Sequence, residues 1–93
     1  MQLPVTIKLN KPIQHGSKLI EEIVFEREMI GSDMFGVRFS GRGIDAKEYA
    51  MMAARLTGLP DPVINGLNVV DFRAVMETVE SFLSDGPPTG TAA

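Results

Sequence analysis

The sequence predicts an α+β fold: an N-terminal antiparallel β-hairpin packed on a C-terminal module of two helices and a short connecting helix. Three observations carry this prediction. Apolar residues alternate near the start of the chain, they recur three and four residues apart near its end, and the strand-like runs all precede the helix-like ones. Strands followed by helices, rather than alternating with them, argue against a parallel βαβ sheet.

Val5, Ile7 and Leu9 alternate with Thr6, Lys8 and Asn10, the period-2 pattern of a strand with one buried face. A second run, Leu19 to Arg27, is rich in β-branched residues and sets Leu19, Ile23 and Phe25 on one face, with Ile20 and Val24 on the other. The link from Lys11 to Lys18 holds Pro12, Gly16 and Ser17 and closes a hairpin over residues 3–27. Gly31, Gly36, Gly41 and Gly43 then punctuate residues 28–44, and glycine costs a helix interior about 1 kcal/mol relative to alanine. The expectation there is a weak turn capped by Ser32 or Asp33, followed by an extended segment or a third strand at Val37–Phe39.

Helical signals begin at Asp45. Asp45 and Glu48 have the spacing of a capping box, and Tyr49, Met52, Ala53 and Leu56 follow at helical intervals. Gly58 as C-cap and Pro60 as stop limit this helix to about 45–57. Asp61 as N-cap and Pro62 at the first helical position open a short connecting helix through Gly66. Asn68 caps the last helix, about 69–84, in which Phe72, Val75, Met76, Val79, Phe82 and Leu83 form a stripe, with Asp71, Arg73, Glu77, Glu80 and Ser81 largely on other faces. Residues 1–84 are thus expected to form one domain. Residues 85–93 have no large apolar side chain and are expected to be a flexible tail.

A chain of 93 residues buries only about 60–65% of its unfolded surface, so its stability is expected to be modest. It has no cysteine, which removes disulfides and thiolate metal sites and suits a reducing compartment. The opening MQLPVTIKLN lacks the pattern of a secretory leader, and no run approaches the roughly 18 apolar residues of a membrane span. Charge is uneven: residues 1–44 carry six Lys/Arg and five Asp/Glu, whereas 45–93 carry three and seven. The acidic second half would repel a phosphate backbone, and the first half has no basic stripe to compensate.

Catalytic groups are scarce. The one histidine, His15, lies in the predicted hairpin loop, where an exposed residue without a role is the plain reading. Glu21 and Glu22 are adjacent and point to opposite faces of a strand; Glu26 and Glu28 share a face, but one that reads as a solvated edge. The glycines around Arg38 and Arg42 lack the Gly-Lys-Ser/Thr ending of a phosphate cradle, and Phe39 between two arginines is far short of a stacking platform. No catalytic, metal or cofactor site is assigned. The methionines are more informative, because flexible thioethers suit surfaces that adapt to varied partners. Met51 and Met52 point about 100° apart on a helix, so one core face does not take both fully.

The stretch Ala53-Ala-Arg-Leu-Thr-Gly-Leu-Pro60, then Val63-Ile64 and Leu67, then Val70-Asp71-Phe72 and the amphipathic run ending Val79-Glu-Ser-Phe-Leu83 resembles the small tail assembly chaperones of contractile-tailed, Mu-like and P2-like phages and prophages. The N-terminal strand ending Leu9-Asn-Lys-Pro12 and the run into Arg27 fit the same pattern, so the resemblance spans about residues 3–84. It departs at 28–43, where members read as a simple polar turn and this chain inserts Met34-Phe-Gly-Val-Arg-Phe-Ser-Gly-Arg-Gly43.

The resemblance implies a non-enzymatic assembly factor in the host bacterial cytoplasm. Such a factor coats the tape measure protein and keeps it soluble until tail tube subunits polymerise around it. It also implies a longer frameshifted product, for which a junction near Gly86 is suited, with the tail tube protein, that longer form and further copies of the chain as additional partners. No membrane or nucleic acid is among them. The candidate contacts are Met51, Met52, Leu56, Leu59, Phe72, Met76, Val79 and Phe82, each of which is alternatively a core residue. The competing readings are a regulatory nucleic-acid-binding module using Arg38 and Arg42, and a small hydrolase or ligand-binding domain.

Overall fold

A computed structural model describes residues 3–41 and 43–85. The elements run β1 (Val5–His15), β2 (Lys18–Phe25), a single 3-10 turn (Gly31–Met34), β3 (Phe39–Ser40), β4 (Gly43–Ile44), α1 (Ala46–Thr57), α2 (Asp61–Asn65) and α3 (Val69–Asp85). This is the expected α+β order. β1 and β2 form one antiparallel sheet, and β3 and β4 form a separate ribbon. Arg42 and the expected tail beyond Asp85 lie outside the described residues.

The hairpin spans Val5–Phe25, within the expected 3–27, and its strands run further into the link than the sequence suggested. Residues 11–15 and Lys18 belong to the strands, leaving Gly16 and Ser17 as the whole turn. Gly16 sits at φ 62 and Ser17 at an ordinary negative φ, which suits the Gly-X form of a two-residue turn. Between the pairs Lys8–Glu22 and Ile13–Ile20, four residues of β1 lie across from Glu21 alone. Because that excess is odd, the inward face of β2 changes parity at the bulge. Ile23 and Phe25 are therefore buried together with Ile20, while Leu19 is 54% exposed, correcting the face assignment of Leu19 and Ile20.

The bulge disrupts the ladder, so its N–H groups need other acceptors. Asp71 supplies them from the first turn of α3: its Oδ1 accepts from Asn10 N at 2.9 Å and its Oδ2 from Lys11 N at 3.1 Å. Pro12 has no N–H to satisfy, which is why proline is tolerated at this point of a strand. Asp71 is only 2% exposed, so its expected place on a polar face is corrected. Its periodicity is that of the flanking polar positions, but its role is to join β1 to α3.

The helices follow their caps with two adjustments. Gly58 ends α1 at φ 75, with its N–H donated to Ala54 O at 2.9 Å, and Asn68 Oδ1 accepts the Asp71 N–H at 2.8 Å to cap α3. Asp45 occupies the N-cap of α1 without a side-chain capping bond, and Glu48 is not the second half of a capping box: it is buried and accepts from Arg38 N at 3.1 Å. α2 starts at Asp61, with Pro60 as N-cap in place of the expected Asp61. The core gathers Leu9, Ile20, Ile23 and Phe25 of the hairpin, Met52, Ala53 and Leu56 of α1, Val63 and Ile64 of α2, and Val75, Val79 and Phe82 of α3.

Residues 28–41 are docked onto α1 by polar contacts. Arg27 Nη1 and Nη2 form a two-pronged ion pair with Asp33 at 2.9 and 2.8 Å, and Asp33 Oδ2 also accepts from Ile30 N at 2.8 Å. Arg55 of α1 donates to the carbonyls of Asp33 and Phe35, and its own carbonyl accepts from Arg27 Nη2 at 3.0 Å. Ile30 is the N-cap of the 3-10 turn, so Ser32 and Asp33 lie within the turn rather than before it. The third strand at Val37–Phe39 is represented by Phe39–Ser40, paired with β4 and not with the main sheet.

The Arg27 hydrogen bond holds the Asp33 carboxyl below its ordinary pKa; burial opposes that shift, and the Ile30 N–H adds to it. A depressed folded pKa stabilises the fold above the unfolded value of about 4 and loses that contribution as pH falls through the folded value. Asp33→Asn is therefore expected to lower stability by about 1 kcal/mol at pH 7, since Arg27 is partly exposed and screened. Denaturant titrations at pH 7 and pH 3 should show the gap between variant and parent closing at the lower pH.

Candidate functional site

The apolar stripe of α3 is wider than the core needs. Val75, Val79 and Phe82 turn inward, while Phe72, Met76 and Leu83 are only half-buried at its margins. One margin borders α1, where Tyr49 reaches across and donates its hydroxyl to Glu80 Oε2 at 2.8 Å. Burial, reinforced by the Glu80 carboxylate, raises the Tyr49 pKa, so the phenol stays protonated as donor at neutral pH.

Around this bridge lie two open depressions that share Tyr49 and Glu80. One, about 330 Å³, is lined by Tyr49, Arg73, Met76, Glu77 and Glu80; the other, about 440 Å³, by Phe39, Gly43, Ile44, Tyr49, Glu80, Leu83 and Ser84. Phe39 and Ile44 are cross-strand partners in the β3–β4 ribbon, and the pair forms one wall. Together the depressions make a shallow groove along α3 from Arg73 to Ser84, about 17 Å at 1.5 Å per residue, apolar at the Met76 end and of mixed polarity at the Leu83 end. A separate apolar cup is lined by Ala46, Lys47, Ala50, Asn65, Leu67, Val69 and Phe72.

The eight candidate contacts divide evenly. Met52, Leu56, Val79 and Phe82 are at most 4% exposed and hold the core together, so in this conformation they present no surface. Met51, Leu59, Phe72 and Met76 are half-buried. Phe72 and Met76, one turn apart on α3, share a face; Met51 lines a different depression with Gly36, Arg38, Lys47, Glu48 and Asp61. Sequence reasoning missed Phe39, Ile44, Tyr49 and Leu83 as groove residues. A signal for the first two existed in Phe39-Ser-Gly-Arg-Gly-Ile44, two apolar residues flanking a glycine-rich turn. It also missed the exposure of Ile30 (58%), Phe35 (71%), Val69 (70%) and Val70 (62%).

The arrangement offers shape and apolar surface. His15 and the glutamates at 21, 22, 26 and 28 are exposed on or beside the hairpin, and among the described residues no three His, Asp or Glu side chains gather in a metal-binding cluster. Arg38 lies with Lys47 beside the carboxylates of Glu48 and Asp61, an electrically mixed setting for an anion. No helix among the described residues is long and apolar enough to cross a membrane.

No curated protein and no solved structure matches the chain. A family profile described as "Phage tail assembly chaperone proteins, E, or 41 or 14" matches residues 6–84, from the second residue of β1 to the last turn of α3. All but the first residue of the hairpin and the last of α3 fall inside that span, with the docked loop between them, and the chain belongs to the phage tail assembly chaperone family.

Proposed function

We propose that this chain binds the tape measure protein and keeps it soluble while tail tube subunits assemble around it, acting in the host bacterial cytoplasm and without catalysis. The observation that carries this reading is the family match over residues 6–84. The geometry supports it with an adaptable apolar surface: a half-buried methionine, a tyrosine and aliphatic side chains in a groove, beside exposed Phe39. A long chain that must stay unassembled presents apolar segments to water, and a partner that covers them needs contact area, not chemistry. The net charge of −3 helps keep such a complex dispersed.

Among the original candidates, Phe72 and Met76 are the residues proposed to touch the partner, because both keep accessible surface on one face of α3. Co-expression with the tape measure protein tests them. A Phe72→Asp, Met76→Asp variant whose thermal unfolding remains cooperative is expected to leave at least twofold less tape measure protein in the soluble fraction than the parent does. Equal soluble fractions would remove this face from the reading.

A further inference from the structure

The groove's rim is not electrically neutral, and the polarity is informative. Glu77 and Glu80 are both exposed, and Glu80 accepts the Tyr49 hydroxyl. The last turn of α3 holds no basic residue of its own. Arg73 is the one cation lining the groove among the described residues, and it lies at the opposite end. Floor and rim thus combine apolar surface with two carboxylates, Glu77 and Glu80, and one cation, Arg73.

We propose that the groove receives an amphipathic helix whose apolar residues rest on Tyr49 and Met76 and whose Lys or Arg side chains lie against Glu77 and Glu80. The inference rests on the chaperone reading and names the chemistry of the segment recognised. A groove of about 17 Å accommodates about three turns of helix, enough for apolar residues at i, i+4 and i+7. Acidic segments of similar hydrophobicity are repelled at the same rim, so the charge selects among otherwise equivalent apolar stretches.

Two synthetic amphipathic peptides of about 18 residues test this, sharing one leucine stripe and differing only in having lysine or glutamate flanks. Titrated into isotope-labelled chain at low salt, the lysine peptide is expected to bind about tenfold more tightly and to shift the methyl signals of Ile44, Met76 and Leu83. Glu77→Lys, at an exposed position, should erase that preference. Equal affinities, binding of neither peptide, or shifts confined to other surfaces would overturn the inference. Soluble tape measure protein alongside any of those results would overturn the groove chemistry alone; an insoluble tape measure protein with the parent chain would overturn the chaperone reading itself.

Discussion

Asp71→Ala is expected to destabilise the fold by about 2–3 kcal/mol, although it removes one carboxylate from a helix whose periodicity places it among surface residues. Two charge-assisted bonds to Asn10 N and Lys11 N disappear, and a buried site opens between β1 and α3. The negative charge in the first turn of α3, favourable to the helix dipole, is lost as well. A chain of this length has a total stability of roughly 5–14 kcal/mol, so the fall is a large fraction of it and corresponds to about 10–20 °C in Tm. Hydrogen exchange gives the specific signature: the Asn10 and Lys11 amides should lose protection beyond the global change, while Asn68, which caps α3 independently through Asp71 N, keeps the helix start in place.

Phe25→Ala is expected to cost more, about 3–5 kcal/mol. Phe25 is fully buried at the end of β2, and its ring lies 5.9 Å from that of Phe82 at an interplanar angle of 38°. The substitution leaves a cavity where hairpin and α3 meet. Phe35→Ala is the control. Phe35 is 71% exposed, and its truncation should change stability by no more than about 0.5 kcal/mol. Equal effects at the two positions, measured by denaturant midpoints, would mean that the hairpin does not pack on α3 as described.

These two residues show where the sequence was legible. Phe25 sits in a β-branched run whose alternation marks an inward face, and α1 and α3 announce themselves by period and by Gly58 and Asn68, because such signals are local. Asp71 was opaque because its partners lie 61 and 60 residues away, and nothing near it distinguishes a buried acceptor from a solvated carboxylate. The bulge it satisfies shifted the face of β2, which is why Leu19 and Ile20 exchanged places. Residues 28–41 were unreadable for the same reason, being held by Arg27 after β2, Asp33 in the 3-10 turn and Arg55 of α1 rather than by any periodic pattern.

The candidate contacts failed to separate for a different reason. A stripe on a small domain serves core and surface with the same residue types, and only the packing of the hairpin decides that Val79 and Phe82 turn inward while Phe72 and Met76 keep exposed area. Tyr49 entered the sequence reading as a helix-core position; in the fold it bridges to Glu80 and divides a groove from the core behind it.

The soluble fraction of the tape measure protein, measured with and without the parent chain in the same cells, tests the central claim most directly. A chaperone of this family that acts on the tape measure protein should raise that fraction severalfold and co-purify with it. An unchanged fraction, at matched expression of a folded chain, would contradict the account.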